Sequence, residues 1–136
     1  MTRGIFIFLM ICFLSIRVFA QTKESYKASI AYKIVESSSK YKQYTKGLYE
    51  RVVKNGGQSF GLMLESSPNP KADLSQNYSK TYDFNLHESY TDRMPIIARF
   101  VFDPVKKQLY EDDVVNATLV PITFDRKLLL LFNKKP

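Results

Sequence analysis

Asp83, Asn85, His87 and Ser89 occupy alternate positions of one short stretch. With Thr81 they make the polar face of a strand whose other face is Tyr82, Phe84, Leu86 and Glu88. An acid, an amide and an imidazole in a row suit polar contacts to a partner. Bond-making asks for more: a catalytic histidine needs a nucleophile and an orienting group within hydrogen-bond reach. Asp83 lies four residues from His87 on the same face, roughly 13 Å away at the rise of a strand. The chain has one histidine, and no serine stands in a nucleophile elbow or second histidine in a metal site. Glu111, Asp112 and Asp113 are consecutive acids that read as a solvated turn, without the ligand spacing of a calcium loop. Gly56-Gly57 lacks the following helix that would make a phosphate site. No metal, no cofactor and no enzymatic activity are therefore expected.

The polar row needs a partner strand. Thr91-Asp92-Arg93 turns the chain back, and 94–103 returns with Ile96, Ala98, Phe100 and Phe102 on its apolar face. A one-residue slip would turn every side chain to the wrong face, which leaves two registers. Either Leu86 faces Phe100 with His87 opposite Arg99, or Leu86 faces Ala98 with Asn85 opposite Arg99. Both set Arg99 on the wet face beside Asp83, Asn85 and His87, with Arg93 at the turn. Glu88 is the one charged residue in phase with the inward apolar positions, and so the one carboxylate open to desolvation.

Apolar positions at Tyr26, Ile30, Ile34, Tyr41, Tyr44, Leu48 and Val52 fall in a narrow arc at helical spacing, opposite Lys33, Glu36, Lys46, Glu50 and Arg51. The spacing predicts one long amphipathic helix over 26–52. Residues 26–34 also alternate as a strand would, but the helical phase continues past Ser37-Ser38-Ser39, where a kink or a fresh N-cap would sit. Asn55-Gly56-Gly57 ends the helix. Further strands are expected at 58–65, 108–112 and 118–124, the last an edge because it contains Pro121. A polar loop over 66–77 and a short helix over 126–133 capped by Asp125 complete the chain. The fold class is α+β: a long N-terminal helix on a four- to five-stranded antiparallel sheet, with a short C-terminal helix.

Residues 1–20 read as a secretory signal peptide. Arg3 precedes an apolar run over 4–16, and Val18 and Ala20 are the small residues before a cleavage site. Residues 21–136 then form a single domain, exported to the periplasm or secreted, with no membrane span after cleavage. The one cysteine lies within the signal, leaving no disulfide. The formal charge of +7 raises acidic polymers as partners. However, the tyrosines interleaved with Lys40 and Lys42 fall on the buried arc, so nucleic acid is not expected.

The order helix, then successive antiparallel strands, resembles a cystatin-like or PepSY-like domain. The segments 82–90, 98–104 and 109–111 are similar to small uncharacterised exported proteins of Bacteroidetes-type bacteria. The resemblance does not extend to protease inhibition, because Gln58-Ser59-Phe60-Gly61 departs from the inhibitory Gln-x-Val-x-Gly loop. The expected function is a monomeric, non-enzymatic binding module for an envelope protein or ligand, contacted through Asp83, Asn85, His87, Arg93 and Arg99. The alternative is a small-ligand carrier or enzyme with a pocket between helix and curved sheet, where Glu88 would be the polar contact.

Overall fold

The structure, a computed structural model, describes residues 24–135; the leader expected over 1–20 lies outside them. The fold is α+β. Helices α1 (Tyr26–Ser37), α2 (Ser39–Thr45) and α3 (Leu48–Lys54) precede β1 (Ser59–Ser67). Next come α4 (Pro70–Asp73), β2 (Asn77–Tyr78), β3 (Tyr82–Ser89), β4 (Ile96–Asp103), β5 (Gln108–Asp113), β6 (Thr118–Ile122) and α5 (Leu128–Phe132).

The expected single helix is three helices, and the interruptions have local causes. Ser38 is extended (φ −70°, ψ 149°), and its hydroxyl accepts from the Tyr41 amide, so the second helix starts on its own N-cap. Ser37 turns its hydroxyl back onto the Ile34 carbonyl at 2.8 Å, competing with the helical ladder as serines do. Gly47 then takes φ +65°, the left-handed conformation that glycine tolerates best. The apolar arc survives both breaks: Ile30, Ile34, Leu48 and Val52 are buried, and Tyr41 and Tyr44 pack beside the core.

The sheet has six strands in the order β2-β1-β3-β4-β5-β6. It is mixed rather than antiparallel, because β2 runs parallel to the end of β1 through Ser66 and Ser67. The 66–77 stretch, expected as a bare loop, holds both α4 and β2. It is fastened by Ser67 Oγ to Ser75 Oγ (2.8 Å) and by the Gln76 amide to the Glu65 carbonyl (3.1 Å). Leu86 pairs with Ala98 and Asn85 with Arg99, which selects the second of the two registers; beyond Leu86 a bulge brings His87 opposite Ile96. The C-terminal helix is shorter than expected. Asp125 is not its N-cap, although its carboxylate accepts from the Lys127 amide in the preceding turn (3.0 Å).

The core lies between α1 and one face of the sheet, with Ile34 and Val35 against Phe84, Phe100, Phe102 and Leu109. Phe132 closes one end, its ring 5.2 Å from that of Phe102 and 5.7 Å from that of Tyr82. Such edge-on aromatic pairs add about 0.5–1.5 kcal/mol each beyond the area they bury.

Candidate functional site

Two neighbouring concavities bring polar groups together. The first, about 520 Å³, lies on the sheet face away from the helices and is lined by Glu65, Thr81, Asp83, Asn85, Arg99 and Asp112, with Leu119 at the edge. The second, about 570 Å³, opens at the rim where α2 meets the ends of β4, β5 and β6. Lys40, Tyr44, Glu111 and Asp113 line it together with Ile97, Val115 and Val120. Ile96, Arg99 and Asp112 line both, so the two concavities adjoin at these residues.

On the outer face the strand register does the positioning. Asn85 sits directly opposite Arg99, and Asp83 opposite Val101. The Thr81 hydroxyl donates to Asp83 (2.6 Å), and the Asn85 amide reaches Glu65 (3.5 Å). Arg99 is exposed and, among the described residues, makes no ion pair or side-chain hydrogen bond, although acids line the same concavity. An arginine in this setting presents its planar fork of donors to whatever enters.

At the rim, Glu111 faces Phe100 on the neighbouring strand and points to the helix side of the sheet. The Tyr44 hydroxyl donates to one of its oxygens, and Lys40 pairs with the other at 3.5 Å. The hydrogen bond to Glu111, reinforced by burial, pushes the Tyr44 hydroxyl up to about 12. Asp113 does different work. It accepts from the Asn116 amide and side chain in the β5–β6 turn, and these bonds hold its carboxyl below the usual range.

Of the residues read from sequence as a site, Asp83, Asn85 and Arg99 come together, and His87, Glu88 and Arg93 line neither concavity. The His87 ring packs beside Gly61, with Nδ1 buried and without a hydrogen-bond partner among the described residues. Glu88 accepts from the Tyr90 hydroxyl (2.9 Å). Arg93 stacks on the Tyr90 ring at 4.4 Å and pairs with Asp92.

Glu88 is not the only inward carboxylate: Glu111 is in phase with buried Leu109 on β5. The alternation Leu109-x-Glu111 was the available signal, masked by the acids that follow. Glu65 and Asp112 were also absent from the sequence-derived set, because only strand pairing brings them to the concavity of Arg99; Thr81 belonged to the polar row by alternation but not to that set. No cluster of three or more histidine, cysteine or acidic residues suited to a metal occurs among the described residues, and none of their helices is long and apolar enough to cross a membrane. Comparison with family models, curated proteins and solved structures found no match.

Proposed function

We propose that this chain is an exported, non-enzymatic binding module whose partner or ligand enters the groove around Arg99. The observation that carries the reading is the unengaged guanidinium of Arg99 at the junction of the two concavities. Arginine fixes a carboxylate or similar acceptor through two parallel hydrogen bonds. Glu65, Asp83 and Asp112, lining the same concavity, would accept donors from the same ligand. A segment of protein chain, carrying acceptors and cationic or amide donors at close spacing, is the simplest class that meets both demands. Asn85, opposite Arg99, can donate and accept and would hold its backbone.

The test is native mass spectrometry of the protein purified from the periplasm or medium of an expressing bacterium, alongside Arg99→Ala. A bound species retained by the wild type and lost from the variant is expected. Equal retention by both would end the reading.

A second reading rests on Glu111, Tyr44 and Lys40. Their cluster faces a concavity with aliphatic walls of a volume typical for small-molecule sites. In that case the module is a carrier of an amphipathic small molecule, and a co-purified species would respond to Glu111→Gln instead of Arg99→Ala.

A further inference from the structure

The surplus positive charge is not spread over the surface. Residues 103–107 and 125–135 carry six lysines and arginines against two aspartates. The rest of the described chain carries eleven lysines and arginines and eleven acids, so the whole excess resides in these two segments. Both aspartates are taken up by the backbone. Asp103 accepts from the Val105 and Lys106 amides (2.9 and 3.0 Å), and Asp125 accepts from the Lys127 amide (3.0 Å).

The two segments meet in space. Phe102, the residue before Asp103, has its ring 5.2 Å from that of Phe132 on α5 and 6.4 Å from that of Phe124, which leads into α5. Arg126 lies over the Phe124 ring at 5.4 Å, and Gln108 at the start of β5 donates to the Ile122 carbonyl at the end of β6 (3.2 Å). The β4–β5 turn therefore shares one end of the sheet with α5. That helix buries Leu129 and Phe132, which leaves Lys127, Leu130 and Lys134 exposed and in phase on its outer face. Leu130 is 70% exposed, and Val105 in the turn is 86% exposed and followed by Lys106 and Lys107. Each aliphatic residue is thus accompanied by lysines, whose stems can lie along apolar surface while the ammonium groups reach outward.

We propose that this end of the molecule docks on a bilayer that carries anionic phospholipid. Headgroup phosphates meet the cations, while Val105 and Leu130 enter the boundary between headgroups and acyl chains. A nucleic acid would offer the same phosphates, but stacking its bases calls for exposed aromatic rings. Here Phe102 and Phe132 are buried and Phe124 lies beneath Arg126; the exposed apolar side chains are aliphatic, which suits acyl chains. The opposite end of the sheet supplies the contrast. Val114 and Val115 are exposed in the β5–β6 turn, but they follow Asp112 and Asp113, which an anionic surface repels. That polarity sets α5 toward the lipid and the β5–β6 turn away from it. None of the six cations, nor Val105 or Leu130, lines the Arg99 concavities, so the inference stands or falls independently of the proposed function.

The test is co-sedimentation with vesicles of residues 21–136, which contain every described element and the whole core and omit the apolar run over 4–16. Binding is expected to vesicles of equimolar phosphatidylglycerol and phosphatidylethanolamine, with release as salt rises, and not to phosphatidylcholine alone. Lys106→Glu with Lys134→Glu should weaken it about tenfold or more. Lys33→Glu with Lys54→Glu, the same change of charge at exposed positions on α1 and α3, should weaken it less than about threefold. Val105→Asn with Leu130→Asn should weaken it about fivefold or more at unchanged charge. Binding to neither vesicle, equal binding to both, equal losses in the two charge variants, full retention by the asparagine variant, or capture by a DNA duplex in place of the vesicles would each overturn the inference. Should a variant fail to fold by circular dichroism, hydrogen exchange on the wild type decides. Anionic vesicles should slow exchange at 105–107 and 126–135 and leave 114–117 unchanged; the reverse pattern, or no change anywhere, overturns the inference as well.

Discussion

Gly61 and His87 face each other across β1 and β3, and the imidazole occupies the space that a side chain at residue 61 would need. A Cβ there would stand 3.1 Å from His87 Cε1 and 3.2 Å from Nε2, tighter than ordinary contact. Gly61→Ala should therefore cost about 1 kcal/mol, with crowding outweighing the entropy that alanine removes from the unfolded chain. Combining it with His87→Ala should recover that loss. Urea unfolding of the two single variants and the double variant measures the coupling; additive effects would show that the ring does not rest on Gly61.

The second helix depends on one hydroxyl. Ser38 is fully buried and caps α2 through the Tyr41 amide, so Ser38→Ala should lower stability by about 1 kcal/mol. Ser39→Ala should cost less, since its hydroxyl meets only Thr123 in an exposed contact. Thermal melts of the two variants side by side give the comparison.

Glu111 anchors α2 to the sheet. Glu111→Ala removes the acceptor of the Tyr44 hydroxyl and the partner of Lys40 and should cost about 1–2 kcal/mol. Lys40→Ala should cost well under about 1 kcal/mol, because its half of the interaction is exposed to water and salt. If the two variants proved equal in denaturant titrations, the ion pair rather than the tyrosine bond would be holding the helix.

Stability should also fall at alkaline pH before general denaturation. Tyr44 is pushed up to about 12 by its bond to Glu111 and by burial, and Tyr82 to about 12 by burial and the nearby Asp73. A folded-state value above the unfolded one adds stability that is complete below pH 10.0 and lost as pH rises toward about 12. After allowance for solvent screening, the loss per tyrosine is on the order of 1 kcal/mol. Tyr44→Phe should flatten part of that decline in a pH series of melting temperatures, and an unchanged slope would count against the bond to Glu111.

The strand pattern was readable in the chain because period-two alternation around Phe84 and Phe100 leaves only a choice of register, and pairing of Asn85 with Arg99 decides it. The helical arc was equally clear, but its breaks were less so. Periodicity reports which side is buried, and the arc keeps its phase through Ser38 and Gly47. Within 66–77, Pro68 and Pro70 mask α4 and β2, which are held by tertiary bonds rather than by local propensity. Arg99, Asp83 and Asn85 could be grouped from their alternation alone. Glu65 and Asp112 joined them only through strands distant in sequence.

The interruptions at Ser38 and Gly47 have a mechanical consequence. An unbroken helix over 26–52 would be roughly 40 Å long, whereas six strands span roughly 24 Å, so a straight rod would overhang the sheet. The breaks turn it into three struts. The middle one, α2, has no fully buried residue, while α1 and α3 are rooted in the core through Ile34 and Val52. Lys40 and Tyr44, which tie α2 to Glu111, thus sit on a strut with no fully buried residue of its own, between two breaks in the helix. One wall of the rim opening is therefore set by side-chain contacts to the sheet, the Tyr44 and Lys40 bonds to Glu111, and not by a buried residue of the helix itself.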